Sequence, residues 1–338
     1  MRYRLRWYGT LLTALFGVIG CGPATFVVGV APGGQRLQAT VVEDDGRPFS
    51  PRVAMIDVTG LIANADQSGL LSAGYNPVAT LTEALDAAAA DPKVKAVLLR
   101  INSPGGTVTA SDIMYREVKR FRQRSGKPVV VLMMDVAASG GFYLACAGDH
   151  VVAYPTTITG SVGVVLQTLS VKPALERIGV RAEALVSGPN KAAGSPLETL
   201  DDGQRAVLQG LVDAFYADFV AVVRENRTEV SPESWSTVTD GRVFTGERAH
   251  ELGLVDQVGD LRDAFAAAKE KAGLSSADLV LYHRPLEYVA SPYSHAPLRT
   301  DPAGVGVGTQ INLLQVNLDR ALPGADAGAY YLWRPELP

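Results

Sequence analysis

The chain is poor in the residues that staple or metallate a fold. Its 338 residues include two cysteines, Cys21 and Cys146, which offer neither a disulfide framework nor a zinc spacing. The four histidines, His150, His250, His283 and His295, fall in no H-x-x-x-H or H-E-x-x-H pattern, so neither a metal centre nor a cofactor is expected. Lys and Arg form no block and the net charge is −4, which gives no nucleic acid a footprint. No internal repeat is present. The remaining composition, 47% hydrophobic and 20% charged, is that of an ordinary folded body. Its length suits one large domain or two small ones with a sizeable core.

The N-terminus is more specific. Arg2, Arg4 and Arg6 precede an apolar run from Leu11 to Gly20, the layout of a signal peptide. The run ends in Val18-Ile19-Gly20-Cys21, which resembles the lipobox of bacterial lipoproteins, where the leader is cut before a cysteine that then carries lipid. An uncleaved signal anchor is the alternative, because no charge falls between Arg6 and Arg36 and that stretch could span a bilayer. Pro23 and several glycines weaken it as one helix. Both readings put the body outside the cytoplasm, on the periplasmic face of a membrane. Cleavage at Cys21 would remove three arginines and no acid, taking the net charge from −4 to −7. Attachment would then rest on acyl chains rather than on anionic headgroups.

Along the chain, residues 1–20 read as the leader, 21–51 as a polar tether, 52–282 as the folded body and 283–338 as a linker and tail. Within the body, strands are expected over 52–59, 94–101, 129–134 and 149–153, with a further apolar strand after the turn at 159–164 and another over 181–186. Helices are expected over 77–90, 111–124, from Ser139 onward, and over 173–178, 201–226, 245–252 and 261–272. In the long helix, Val207, Leu208, Leu211, Phe215, Phe219 and Val222 share one face. Strands alternating with helices imply an α/β fold built on parallel βαβ units. In the tail, 311–322 could form an amphipathic helix, and Tyr330-Tyr331-Leu332-Trp333 is unusually aromatic. That aromatic stretch could dock as a pseudo-substrate or pack against a neighbour.

The chemistry centres on residues 128–147, where a β-branched apolar run breaks at Ala138-Ser139-Gly140-Gly141 and resumes as a helix. Ser139 therefore sits at a strand-to-helix junction. It is either an ordinary N-cap or a nucleophile beside free backbone amides. A second glycine turn, Pro104-Gly105-Gly106, ends the preceding buried strand, so the two turns should adjoin at one sheet edge. The amides of Gly106 and Gly140 could there hold an oxyanion. No histidine is placed to serve as the base. Lys191, in the loop from Ser187 to Pro196, lies among small and apolar residues with no acidic neighbour nearer than Glu198. A lysine is a base when desolvation lowers its pKa; otherwise Lys191 is a surface loop residue.

Four motifs in one order bear on that choice: Asn102-Ser103-Pro104-Gly105-Gly106, Ala137-Ala138-Ser139-Gly140-Gly141-Phe142-Tyr143, Thr159-Gly160-Ser161-Val162-Gly163-Val164 and Gly188-x-x-Lys191-x-x-x-Ser195-Pro196. Together they resemble the signal peptide peptidase A (SppA) family, Ser–Lys serine proteases of the ClpP/crotonase fold, loosely from Arg52 to Ala272. The resemblance implies repeated ββα units with mainly parallel sheets in a single protease unit. It implies Ser139 as nucleophile, Lys191 as general base, Ser161 as the residue that orients Lys191, and Gly106 and Gly140 as the oxyanion hole. It implies as partners signal peptides or other unfolded apolar peptides, and the membrane lipid of an N-terminal anchor. It also implies a homo-oligomeric ring in which serine and lysine can come from neighbouring protomers. Phe142 departs from the tyrosine often found there, and the lipobox replaces the usual membrane span. Two other readings stand beside it: a crotonase-like acyl-CoA enzyme, which the leader disfavours, and a non-proteolytic ring-forming or peptide-binding lipoprotein.

Overall fold

A computed structural model describes residues 37–65, 76–284, 289–294 and 329–333. Cys21, the leader, the 311–322 stretch and His295 lie outside the described residues. The strands in chain order are β1 (Gln38–Glu43), β2 (Arg52–Thr59), β3 (Val94–Ser103), β4 (Gly105–Thr107), β5 (Val129–Ala138), β6 (His150–Ala153), β7 (Ile158–Gly160), β8 (Val165–Leu166), β9 (Val243–Thr245), β10 (Gln257–Val258), β11 (Asp278–His283) and β12 (Ala329–Leu332). The helices that position the site are α1 (Pro77–Ala90), α2 (Val108–Ser125), α3 (Gly140–Ala145), α4 (Lys172–Arg177), α5 (Asp202–Asn226), α6 (Trp235–Val238), α7 (Gly246–Glu251) and α8 (Leu261–Lys271).

The main sheet runs β1-β11-β2-β3-β5-β6-β10, parallel at every step of that order except β1 with β11, and β7 joins it parallel to β5 with β9 antiparallel to β7. The central strands are continuous apolar runs because both faces are covered. Alternate residues divide between the faces. Ala54, Ile56, Val97, Leu99, Val129 and Val131 join the core with α1 and α2. Val53, Met55, Ala96, Leu98, Val130 and Leu132 pack on Leu261, Ala264, Phe265 and Ala268 of α8. Local signals set the helix starts. Asn76 accepts from the N–H groups of Val78 and Ala79 with Pro77 in the first turn, and Asp201 and Gln204 form a capping box for α5.

Two expectations fail and a third holds only in part. Residues 38–43 are not tether: β1 closes the sheet edge by pairing antiparallel with β11, and β11 pairs in turn with β2. Residues 181–186 form no strand, and Leu185 is 95% exposed, because no neighbouring strand offers them a ladder. In α5 the expected apolar face is covered only in part, with Phe219 buried and Leu208, Phe215 and Val222 half-buried. Gln204, Phe219 and Val223 are buried, while Val207 and Leu211 are 48% and 46% exposed. Among the described residues α5 is the only helix long and apolar enough to cross a membrane, by length and composition alone.

Candidate active site

The parallel pairing of β3 with β5 decides where the two glycine turns meet. Ser103 is registered against Ala137, so Gly105 and Ser139, each two residues further on, leave the sheet side by side. Ser139 has φ 53° and ψ −115°, a conformation rare for a residue with a Cβ. Its side chain makes no capping bond to α3, which removes the ordinary reason for a serine at that junction. Backbone bonds hold the turn instead. Ser139 donates its N–H to the Gly160 carbonyl at 2.8 Å and accepts from the Tyr143 N–H at 2.8 Å. Strain of about 1–3 kcal/mol at such a residue persists only where the surroundings fix it. Among the described residues no hydrogen bond engages the Ser139 hydroxyl, which sits on a rigid turn.

The first glycine turn is braced on its far side. Ile62 donates to the Gly105 carbonyl at 2.8 Å, and Thr107 donates to the Ile62 carbonyl at 2.9 Å. With that edge of β4 used, the N–H and C=O of Gly106 point the opposite way, towards the cleft. Ser103 Oγ donates to the Gly60 carbonyl at 2.6 Å and accepts from the Gly105 N–H at 3.1 Å. Glycine is required here by space as well as by the φ of +109° at Gly105. A Cβ on Gly105 would lie 2.7 Å from the Gly140 nitrogen, and one on Gly140 would lie 3.1 Å from the Gly106 nitrogen. The amides of Gly106 and Gly140 are thus neighbours beside Ser139, the arrangement an oxyanion needs.

Ser161 follows directly on β7, which pairs parallel with β5 through Ala138 and Gly160. It too has a positive φ, 54°, and its N–H donates to the Arg242 carbonyl at 2.8 Å. Immediately beyond it a cavity of about 370 Å³ is lined by Val162, Gly163, Val164, Val212 and Tyr216. Lys191 stands apart. It lies in an exposed turn where its N–H donates to the Gly188 carbonyl at 3.1 Å. Within one chain no hydrogen bond joins Lys191 to Ser139 or Ser161 among the described residues.

The described histidines are structural. His150 bonds Gln257 at 3.1 Å, His250 bonds the Val255 carbonyl at 3.0 Å, and His283 bonds Thr40 at 2.8 Å. Cys146 is fully buried and burial pushes its thiol pKa up, which leaves it inert. Two contributors to the cleft lie outside the four motifs. Ile62, just past β2, braces Gly106 and had no sequence signal. Tyr331, from the aromatic tail, lies on the cleft itself: β12 pairs antiparallel with both β4 and β8.

Comparison with known proteins sets the chain beside proteases. The model of Peptidase family S49 matches residues 121–275, and that of Clp protease matches residues 75–159. A putative protease, slr0021, of Synechocystis sp. is 37% identical over 66% of this chain and 75% of its own length. Putative signal peptide peptidase SppA of Enterococcus faecium is 33% identical over 68% of this chain and 67% of its own. Protease 4 of Salmonella typhi is 39% identical over 57% of this chain. That match spans only 31% of Protease 4. The mainly parallel α/β sheet and the Clp protease match together give a ClpP-like fold.

Proposed function

Because the chain belongs to peptidase family S49 and is therefore a serine peptidase, we propose that Ser139 is its nucleophile, working with Lys191 as general base. The observation that carries this is the free Ser139 hydroxyl on a strained turn, with the amides of Gly106 and Gly140 adjoining it. Ser139 Oγ attacks the scissile carbonyl carbon, and the two amides receive the developing negative charge. The Lys191 amine takes the hydroxyl proton and returns it to the leaving amine, and water then hydrolyses the acyl-enzyme. Ser161, one strand away and followed by a cavity, orients the lysine.

An amine that acts as a base must be desolvated, and the described residues of one chain leave Lys191 exposed. Ile178, Leu185, Leu197, Val207 and Leu211 around it in sequence are also exposed. That much bare apolar surface favours a homo-oligomeric ring in which a neighbour covers this stretch and the dyad forms between protomers. Substrates are signal peptides or other unfolded apolar peptides, taken in extended form. The protein is held at the extracytoplasmic face of a membrane by a lipid on Cys21.

The test uses full-length protein and an unfolded peptide substrate. Ser139→Ala and Lys191→Ala should each abolish cleavage with unchanged melting temperature, and mixing the two variants should restore part of it. Full activity in Lys191→Ala would refute the dyad. Intact mass of detergent-extracted protein reads the lipid on Cys21 directly.

A further inference from the structure

The edge of the sheet opposite Ser139 carries a second concave feature. A cavity of about 390 Å³ is lined chiefly by Lys119, Arg122, Gln123, Lys127, Asp149 and Lys271. Lys127 and Asp149 stand just before β5 and β6, and the ten residues of β5 lead from there to Ser139. At roughly 3.3 Å per residue the two ends of that strand lie about 30 Å apart, so the cavity is no part of the catalytic cleft. Lys119, Arg122, Gln123 and Gly126 recur at three- and four-residue intervals, which sets them along one face of α2. Lys271 is the last residue of α8, which packs on the other side of the sheet.

Four cations meet one carboxylate here, an excess of +3 on a chain whose net charge is −4. The C-terminal ends of α1, α2 and α8 meet at this edge, and roughly half a negative charge at each offsets about half of that excess. The chain's own side chains do not supply the rest. Arg122 pairs with Asp149 and donates to the Ala147 carbonyl at 2.7 Å. Lys127 donates to the carbonyls of Ala88, Ala89 and Asp91 at 2.7, 3.1 and 2.9 Å. Burial lowers its pKa, with the Asp91 charge opposing the shift and Lys95 adding to it. Lys119 reaches Glu225 at 3.3 Å, but that carboxylate is 64% exposed and such a pair contributes little. The side chains of Gln123 and Lys271 make no hydrogen bond or ion pair among the described residues. A lysine that serves only a helix dipole belongs in the last turn. Lys119 lies before the last turn of α2 and has no such role.

We propose that this cavity binds a phosphate group, carried by a lipid headgroup or by a free phosphate ester. Lys119, Gln123 and Lys271 donate to its oxygens, while Arg122 and Lys127 hold fixed positive charge around it. Donors on two walls suit an acceptor with oxygens on several sides, which a single carboxylate is not. The volume falls in the range of small-ligand sites, so an ester suits it better than the bare ion. The site stands whether or not Ser139 is the nucleophile.

The experiment titrates detergent-solubilised full-length protein in a calorimeter with three probes. They are glycerophosphoglycerol, which is a deacylated phosphodiester headgroup, glycerol 3-phosphate, and acetate. Wild type should bind at least one of the two phosphates at a single site, and acetate at least about tenfold more weakly. Lys119→Gln/Lys271→Gln should weaken phosphate binding at least about tenfold with an unchanged melting temperature. Arg120→Gln/Arg248→Gln removes the same charge from elsewhere on the surface and should change the affinity less than about twofold. Binding of glycerophosphoglycerol assigns a lipid headgroup, and binding of glycerol 3-phosphate alone assigns a free ester. Failure of both phosphates to saturate, equal binding of acetate, or wild-type affinity in the Lys119→Gln/Lys271→Gln variant would each overturn the proposal.

Discussion

Ser139 donates its backbone N–H to the carbonyl of Gly160 at 2.8 Å, so its turn is tied to the strand that delivers Ser161. The two serines share one unusual geometry, each with a positive φ. They are coupled through Gly160, itself at φ +86°.

That coupling makes Gly160 a sensitive position although it carries no functional group. A Cβ there would stand 2.8 Å from the Phe244 ring and would be strained by its φ in any case. Gly160→Ala should therefore shift both serines, lowering kcat at least about tenfold while costing about 1–3 kcal/mol of stability. Steady-state kinetics beside thermal melts would check it. Unchanged kcat would mean the turn is held from elsewhere.

A second expectation concerns the buried ion pair under the sheet. Arg100 donates to both carboxylate oxygens of Asp57 at 2.7 Å, and both side chains are 2% exposed. The same guanidinium reaches the carbonyls of Pro292 and Ser294 at 2.8 Å, pinning residues 289–294 to the body. Asp57→Asn leaves the buried guanidinium without its counter-charge, so we expect a loss of about 3–5 kcal/mol in urea unfolding. A loss under about 1 kcal/mol would show that water reaches the pair.

Buried phenols set the alkaline limit. Burial lifts the pKa of Tyr143 and Tyr331 above the ordinary value, with Asp112 adding to both, and pushes Tyr282 up to about 12. Below the ordinary value of 10.0 both folded and unfolded chains hold these protons, and stability has no slope from them. Above it the unfolded chain releases them first, so stability falls as pH rises from about 10 towards 12. Tyr282→Phe should flatten part of that fall in thermal melts. An identical slope in the variant would exclude Tyr282 as a contributor.

Much of this was legible in the sequence for identifiable reasons. The runs at 94–101 and 129–134 read as buried strands because both faces need apolar residues, and the junction at Ser139 stood out because the pattern changes period there. Chain neighbours could not reveal partners far away. Gln38–Glu43 looks polar and becomes a strand only because β11 meets it, and Ile62 matters only because it braces Gly106. Residues 181–186 failed the other way, with strand propensity and no ladder to join. Against the N-cap reading of Ser139 stands the missing side-chain capping bond, which composition does not encode.

The exposed apolar stretch leads to the last expectation. Ile178 is 74% exposed and Leu185 is 95% exposed, and neither packs on the core of its own chain. Replacing either with Asp should leave the fold intact, because the folded monomer loses no contact of consequence. In an assembly that covers them, the same change buries a carboxylate without a partner, at a penalty of several kcal/mol per site. Ile178→Asp and Leu185→Asp should therefore lower the sedimentation coefficient of full-length protein and abolish peptide cleavage together, with near-unchanged melting of the separated chains. A variant that stays assembled and active would place the protomer contact elsewhere. A variant that dissociates yet still cleaves would place Lys191 and Ser139 within one chain.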